Sequence, residues 1–301
     1  MLDSYDCFTV GECVMVDLEE ARQLCEPGRR ELDMLFYFNH LEVDRLVARY
    51  ISRPFSAKRL LDVYTQWQTK LDWNALYLEN HDQPRIVSHY GDDGKYWAQS
   101  AKMLATMELT LRGTPFIYEG QELGMTNAGF QSVDELNDVE SHNIDKLMRS
   151  FRIPKFLRRR WILTASRDNA RTPMQWSAKE NAGFTTGKPW LPVTANYRTI
   201  NYETQDGDAD SVLNYYRKLI TLRAGNDVLK YGAFTPLFAT RRVMAYKREL
   251  NGEALTVVLS FSKRIKRAPY RGSLVADNYG KAEFDGRLQP YEAVIIKENG
   301  T

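Results

Sequence analysis

The sequence predicts an α/β protein in two parts, a series of parallel strand–helix units followed by a small antiparallel β domain. Short apolar runs of strand length, each followed by helix formers, recur through the first part of the chain. From Tyr231 onward, short β-rich runs alternate with turns instead. We therefore expect one domain over residues 1–228 and an all-β domain over residues 229–301.

Four apolar runs in the first part are the predicted parallel strands. They cover residues 5–12, 34–38, 73–78 and 115–118. Helical patterns follow three of them, at residues 17–25, 56–71 and 96–111. The second of these begins with Ser56, a residue type preferred at the N-cap position. This alternation is typical of a parallel sheet, in which helices carry the chain back between strands.

The later part of the chain gives two further helical patterns and then a β pattern. Helices are predicted over residues 132–150 and 208–223. The predicted strands of the β domain cover residues 234–237, 243–248, 255–261, 274–276 and 293–297. Asn251 and Gly252 between two of these runs predict a tight β-hairpin.

Polar side chains cluster directly after the third predicted strand. His81, Asp82 and Arg85 lie within five residues at its carboxyl end, which is the working face of a parallel α/β barrel. A carboxylate accepts hydrogen bonds from two neighbouring hydroxyls while His and Arg donate to others, so the set suits a polyhydroxylated substrate. The alternative is a strand-end turn, formed by Asp82 and Pro84, in which Arg85 pairs locally.

This stretch resembles the fourth sequence motif of the α-amylase superfamily, glycoside hydrolase family thirteen. The whole chain resembles the oligo-1,6-glucosidase and dextran glucosidase branch of that family. Four further segments match the branch in the family's order, namely FTVGE at residues 8–12, GTPFIY at 113–118, ELGMTN at 122–127 and RDNARTPMQW at 167–176. The sequence EGQE at residues 119–122 departs from the family pattern by exchanging an amide and an acid, which leaves its hydrogen bonds open.

The resemblance implies a fold and an activity. The four parallel strands would be strands five to eight of a (β/α)8 TIM barrel, that is, its C-terminal half, followed by a small antiparallel β-sandwich domain. The activity would be that of an exo-acting α-glucosidase of the oligo-1,6-glucosidase type. Such an enzyme hydrolyses terminal α-glucosidic bonds of isomalto- or dextran-type oligosaccharides with retention of configuration.

The resemblance also implies roles for individual residues. Glu12 matches the acid/base glutamate and Asp82 the third carboxylate, with His81 beside it as a sugar-hydroxyl contact. Arg167 matches an arginine that holds the far hydroxyls of the terminal glucose, although a structural ion pair near Asp168 is the alternative. An inverting pair formed by Glu12 and Asp82 is geometrically conceivable.

The family's nucleophile, an aspartate on the fourth strand, has no match in the sequence and is expected upstream of Met1. We therefore expect the chain alone to be inactive or nearly so. Within the same family, a phosphotrehalase or a sucrose-type glucosidase or isomerase stays open. In another class, the chain would be a non-catalytic homologue or barrel fragment that acts as a binding protein, like the heavy subunits of amino-acid transporters that share this fold.

The composition of the chain limits which kinds of binding partner are expected. A net charge of +2 gives no case for nucleic acid or membranes, and the basic runs at residues 155–160 and 263–267 are expected to be solvated faces. The histidines lie too far apart for a metal site, so no metal and no cofactor are predicted.

Three cysteines near the start of the chain, an odd number, indicate free thiols in a reducing compartment, and there is no signal-peptide pattern. The expected location is cytoplasmic. Half a barrel would leave two sheet edges open, so self-association through these edges is expected.

Overall fold

The structure, a computed structural model, describes residues 4–26, 28–29, 31–47 and 49–297. Its α-helices, in chain order, are α1 (Leu18–Leu24), α2 (Ala57–Lys70), α3 (Ile86–His89), α4 (Trp97–Thr110), α5 (Val139–Ser150), α6 (Lys155–Ala165), α7 (Tyr202–Asp206), α8 (Val212–Ala224) and α9 (Asp227–Tyr231). Its strands are β1 (Val10–Glu12), β2 (Met34–Phe36), β3 (Arg45–Val47), β4 (Ile51–Ser52), β5 (Ala75–Leu76), β6 (Thr114–Pro115), β7 (Ala233–Ala239), β8 (Val243–Leu250), β9 (Glu253–Ser260), β10 (Lys266–Arg267), β11 (Gly272–Asp277), β12 (Glu283–Phe284), β13 (Arg287–Leu288) and β14 (Ala293–Lys297).

The first three predicted parallel strands are present, each shorter than its apolar run, whereas β6 shares only Pro115 with the run predicted over residues 115–118. β1 pairs with β2 and β5 pairs with β6, both in parallel. β2 and β5 make no ladder, but the rings of Phe36 and Tyr77 meet edge to face across them, 5.0 Å apart. Helices α1, α2 and α4 follow the strands at the predicted positions. Ser56 is the N-cap residue of α2 as predicted, although its side chain makes no capping hydrogen bond.

The predicted start of the helix over residues 132–150 was wrong. Residues Val133–Glu135 form a short 3-10 turn, and α5 begins only at Val139. The reason is Asp138, whose carboxylate accepts hydrogen bonds from the main-chain N–H groups of Glu140 and Ser141 and so caps the helix. In the same way Ser211 caps α8, which begins four residues later than the predicted start at residue 208.

The last part of the chain forms the predicted antiparallel β structure. Six strands form one sheet in the order β12-β11-β14-β9-β8-β7, and β10 pairs with β13 beside it. Leu250 pairs with Glu253, so Asn251 and Gly252 form a two-residue loop with φ angles of 52° and 82°. Positive φ at both loop positions is the signature of the hairpin turn that this dipeptide predicts.

One apolar core joins the helices to the six-stranded sheet. Its buried residues include Leu60 of α2, Met107 of α4, Leu219 of α8 and Tyr246 of β8. A second cluster covers the other face of the sheet and includes Val258 of β9. The boundary between residues 228 and 229 stays a prediction, because the helices and the sheet share this core.

Two buried arginines fix the chain just before β6. Arg223 donates to the carbonyl oxygens of Leu111 (2.8 Å) and Gly113 (2.6 Å), and Arg248 donates to that of Gly232 (2.6 Å). Burial lowers the pKa of Arg223 to about 10 and that of Arg248 to about 9. Arg223, through Leu111 and Gly113, and Arg248, through Thr110, thus hold the carboxyl end of α4 and the segment that leads into the site.

The unusual EGQE sequence after β6 forms a buried polar cluster with α4. The Gln121 amide donates hydrogen bonds to the Glu108 carboxyl group and to the Tyr216 hydroxyl. An ionised carboxylate at position 121 could not make these bonds, because it has no hydrogen to donate. Burial raises the pKa of Glu108 from its ordinary value of 4.5 to about 8. The hydrogen bonds that the sequence left open at residues 119–122 are therefore made by the Gln121 amide, which donates to the Glu108 carboxyl group.

The Glu108 cluster predicts a pH-dependent stability. The unfolded chain releases the Glu108 proton near pH 4.5, whereas the folded chain holds it up to about pH 8. The stability due to this group is therefore fully present below pH 4.5 and is lost as the pH rises through about 8. We expect the free energy of unfolding to fall by about 4–5 kcal/mol across that range.

Urea unfolding at several pH values measures this fall, which Glu108→Gln should largely remove. Glu203→Gln changes an exposed acid on α7 and should keep the slope of the unmodified chain. Equal slopes in the two variants would contradict a buried, proton-bearing Glu108.

Candidate active site

A cavity of about 220 Å³ opens at the carboxyl ends of β1, β2, β5 and β6. Its lining residues are Glu12, Phe36, Tyr77, Glu79, Asn80, His81, Phe116, Ile117 and Tyr118. The structure therefore brings two of the predicted site residues, Glu12 and His81, into one cavity although they are far apart in sequence. Asp82 follows His81 but does not line the cavity itself.

Glu12 is the last residue of β1, and its side chain is exposed. It pairs in register with Phe36 of β2, whose ring meets that of Phe116 edge to face at 4.8 Å. Phe36 also contacts Tyr77. The wall beside the carboxylate is therefore aromatic, as in sites that pack against the apolar face of a sugar ring. Sequence reasoning did not single out these aromatics, because each lies in a run that reads as core.

Asp82 is held by two arginines from one distant segment. Nη1 of Arg167 lies 3.2 Å and Nη2 of Arg171 lies 2.6 Å from its Oδ1 atom. Its other oxygen, Oδ2, lies 3.5 Å from Nε2 of His81. Both guanidinium groups bind the same oxygen, so Oδ2 is left free of them.

Arg167 also binds a buried carboxylate on its other side. Its Nη2 atom lies 2.6 Å from Oδ1 of Asp138, and its Nε atom lies 3.6 Å from Glu140. The bond to Asp138 is the main cause that raises the pKa of Arg167 above its ordinary value. Arg167 therefore makes ion pairs with Asp138, Glu140 and the predicted site residue Asp82.

The Asp168 carboxylate has a different role from the one considered. It is fully buried, and its Oδ2 atom accepts from the main-chain N–H groups of Asn137 and Asp138. These bonds fix the start of α5 against the 167–176 segment. Asp138 is held in turn where it can both cap α5 and bind Arg167.

His81 and its neighbours are fixed through the main chain. Nε of Arg171 donates to the carbonyl oxygen of His81 (2.7 Å), and Nη1 of Arg49 donates to that of Asp82 (2.8 Å). The imidazole itself is 60% exposed, so it is accessible to a ligand in the cavity. Arg49 and Arg171 are functional candidates that sequence reasoning missed, because their partners lie 33 and 89 residues away.

The floor below these residues is a buried ion pair. Nη1 of Arg85 lies 2.9 Å from Oε2 of Glu79, and both side chains are fully buried. Arg85 also donates to the carbonyl oxygens of Glu119 (2.7 Å) and Ala170 (3.3 Å). Burial raises the pKa of Glu79, against the opposing effect of the guanidinium. Arg85 thus pairs with Glu79 close by in the sequence and also joins the segments around Glu119 and Ala170.

Cys7, Cys13 and Cys25 are free thiols, as predicted. In the described part of the chain, no cluster of three or more His, Cys, Asp or Glu side chains is arranged to hold a metal ion. None of the helices described combines the length and the apolar character needed to cross a membrane.

Comparison with protein families gives one match that covers most of the chain. The family described as alpha amylase, catalytic domain, matches residues 1–232. The oligo-1,6-glucosidase of Parageobacillus thermoglucosidasius is 41% identical over 315 residues, which cover 99% of this chain and 56% of that protein. The trehalose-6-phosphate hydrolase of Bacillus subtilis is 39% identical over 316 residues, which cover 97% of this chain and 55% of that protein.

Solved structures give the same picture. The trehalose-6-phosphate hydrolase of Bacillus licheniformis superposes with a TM-score of 0.91 at 38% identity, over 98% of this chain and 56% of that one. The isomaltulose synthase of a Klebsiella species superposes with a TM-score of 0.92 at 36% identity, over the same shares of the two chains. The chain thus spans about half the length of the relatives that it matches.

Proposed function

Because the chain belongs to the alpha-amylase family of glycoside hydrolases, we propose that it carries the acid/base side of an exo-acting, retaining α-glucosidase site. The observation that carries the proposal is the cavity at the strand ends, where Glu12 faces an aromatic wall and His81. Asp82, bound by Arg167 and Arg171, lies directly beside it. Carboxylates supply the acid/base chemistry that cleavage of a glycosidic bond needs, and an imidazole and aromatic rings at the same strand ends suit the binding of a sugar.

In this proposal Glu12 protonates the leaving oxygen and afterwards activates the attacking water. Its exposed position at the rim of the cavity gives it access to both. The Oδ2 atom of Asp82, which the two arginines leave free, accepts from sugar hydroxyls. His81 donates a hydrogen bond to a neighbouring hydroxyl. Arg167 binds the hydroxyls of the terminal glucose that lie farthest from the scissile bond, which limits hydrolysis to terminal glucose residues.

We further propose that the nucleophile comes from outside these 301 residues. Of the residues that line the cavity, the only carboxylate besides Glu12 is Glu79. Its two oxygens are bound to Arg85 and to the main-chain N–H of Ile86, so it is not free to attack a sugar. The strands β1, β2, β5 and β6 would then be strands five to eight of the barrel, and the residues after 228 its small β-sandwich domain. On this account the 301 residues alone do not hydrolyse glucosides.

The preferred substrates are isomalto-oligosaccharides of the dextran type. Several relatives named oligo-1,6-glucosidase, at 39–41% identity, support this choice. Hydrolysis of trehalose 6-phosphate, the activity named for relatives at 39% identity, and sucrose isomerisation are the alternatives within the family. A non-catalytic binding role is the remaining alternative. Against it, Glu12, His81, Asp82 and Arg167 are all present, with Glu12 and His81 in one cavity and Asp82 beside His81 bound to Arg167, and a chain freed of catalysis has no need to keep them.

Two further predictions about the chain's surroundings belong to this proposal. The cytoplasmic location stays a prediction from the free cysteines. Self-association is supported by β1, which pairs with β2 on one side and with no other strand in the described ranges. Phe8, Val14 and Met15 are exposed next to it. Sedimentation at micromolar concentration should show dimers or larger species, and a monodisperse monomer would contradict this.

The acid/base role of Glu12 is tested by varying the leaving group. The chain is assayed after mixing with the part of the Parageobacillus relative that it does not cover. In that mixture Glu12→Gln should cut hydrolysis of isomaltose by about 10²–10⁴-fold. Hydrolysis of a nitrophenyl α-glucoside should lose about tenfold less, because nitrophenolate leaves without being protonated.

Glu19→Gln is the matched control, since Glu19 is an exposed acid on α1 outside the cavity. It should leave both rates unchanged. An equal loss on both substrates in the Glu12 variant would contradict the acid role, and an unchanged rate on isomaltose would remove Glu12 from the mechanism.

A further inference from the structure

A basic depression with a volume of about 830 Å³ lies on the β domain, away from the candidate active site. Its lining residues are Arg267, Ala268, Pro269, Arg271, Asp285, Gly286 and Arg287. None of them lines the cavity that contains Glu12. The run of basic residues at 263–267, expected to be a solvated face, contributes only its last member, Arg267. The other two arginines come from later segments that the fold brings alongside.

Two of these arginines oppose each other in one antiparallel ladder. Arg267 of β10 pairs in register with Arg287 of β13. Directly opposed residues have Cβ atoms about 4.5–5.5 Å apart, and like charges in such a pair repel. Both side chains are exposed. The ladder therefore places two arginines directly opposite each other, at a position where opposite charges would be stabilising.

The third arginine, Arg271, lies beside the turn between β12 and β13. Gly286 has a φ angle of +88°, and a Cβ atom there would lie 2.9 Å from the carbonyl oxygen of Ala268. The same Cβ position lies 4.0 Å from Nε of Arg271. Glycine thus lets the turn pack against the Ala268 segment with the Arg271 side chain directly beside it.

The chain neutralises the positive charge in this depression only in part, because three arginines share it with one carboxylate. Elsewhere on the β domain, Lys263 pairs with Asp92 at 2.9 Å and Lys281 pairs with Glu292 at 2.6 Å. Within the described ranges, none of the three arginines that line the depression forms an ion pair. Its single carboxylate, Asp285, accepts the main-chain N–H of Arg287 at 2.8 Å, and this bond holds the turn. Three guanidinium groups therefore face one engaged carboxylate.

We propose that this depression binds a ligand that carries two or more phosphate or sulfate groups. A guanidinium group donates paired hydrogen bonds that match such oxyanions, and three of them around one depression can hold more than one anionic group. The lining contains no aromatic ring, so it offers no surface on which a nucleobase would stack. The chemistry therefore favours a small polyanion or a phosphorylated or sulfated sugar over a nucleic acid.

Titration calorimetry of the 301-residue chain with inorganic tripolyphosphate tests the proposal. We expect saturable binding with one site per chain, weakened as salt is added. The double variant Arg267→Gln/Arg287→Gln should bind at least about tenfold more weakly. Inorganic phosphate should bind at least about tenfold more weakly than tripolyphosphate, since it carries one anionic group. A sulfated disaccharide in a parallel titration distinguishes a sugar ligand from an inorganic one.

Arg264→Gln is the matched control, because Arg264 is exposed in the same basic run but does not line the depression. It should bind tripolyphosphate like the unmodified chain. Thermal melting checks folding, and the double variant should melt at or above the unmodified chain because a like-charge pair is removed. No saturable binding, or an equal loss in the Arg264 variant, would overturn the proposal, as would equal affinity for phosphate and tripolyphosphate.

Discussion

Replacing Arg85 with methionine is expected to lower the free energy of unfolding by about 3–5 kcal/mol. The substitution leaves Glu79 fully buried without the guanidinium that offsets its burial. It also removes the donor to the carbonyl oxygens of Glu119 and Ala170, which tie the loop after β6 to the 167–176 segment. Urea unfolding followed by circular dichroism measures the loss.

Two comparisons make this result specific. Arg22→Met breaks an exposed ion pair with Glu19 on α1 and should cost about 0–1 kcal/mol. The double variant Arg85→Met/Glu79→Gln should recover part of the loss, because no unpaired charge is then buried. A loss below about 1 kcal/mol in Arg85→Met would mean that this pair does not hold the floor of the site.

Replacing Asp82 with asparagine is expected to lower kcat/KM for isomaltose by about 10²–10³-fold in the complemented enzyme. The amide keeps the size of the side chain. In the proposed mechanism it removes a negative charge that would stabilise the developing positive charge on the sugar, and it replaces one of the two acceptors by a donor. It also leaves Arg167 and Arg171 without their shared carboxylate partner.

Asp62→Asn is the control for this effect, since Asp62 pairs with Lys58 on the exposed surface of α2. Its kcat/KM should match that of the unmodified enzyme. A rate for the Asp82 variant within about threefold of the control would exclude Asp82 from transition-state stabilisation.

The sequence predicted strand positions well where local chemistry decides the structure. The ladder of β1 ends at Glu12 as expected, and Asn251 with Gly252 forms the predicted hairpin. Prediction was poorer where a distant contact sets the boundary. The start of α5 depends on Asp138, which is held by the Asp168 carboxylate 30 residues away.

The candidate site shows the same division. His81 and Asp82 stand out because both follow a strand directly. Arg171 and Asp138 could not be identified, because their roles exist only once the 167–176 segment folds back onto the strand ends. Pairing across 89 residues leaves no local pattern. Phe36 and the other aromatic residues of the cavity wall lie in apolar runs that are typical of a core. They border a cavity because they lie at or just after the ends of the strands.

The most direct test of the account is glucose release from isomaltose by the 301-residue chain, alone and after addition of the part of the Parageobacillus relative that it does not cover. The account predicts no release by the chain alone and release on addition of that part. The restored activity should be lost again when the chain carries Glu12→Gln. Glucose release by the chain alone that disappears in Glu12→Gln would contradict the claim that the nucleophile comes from outside these residues.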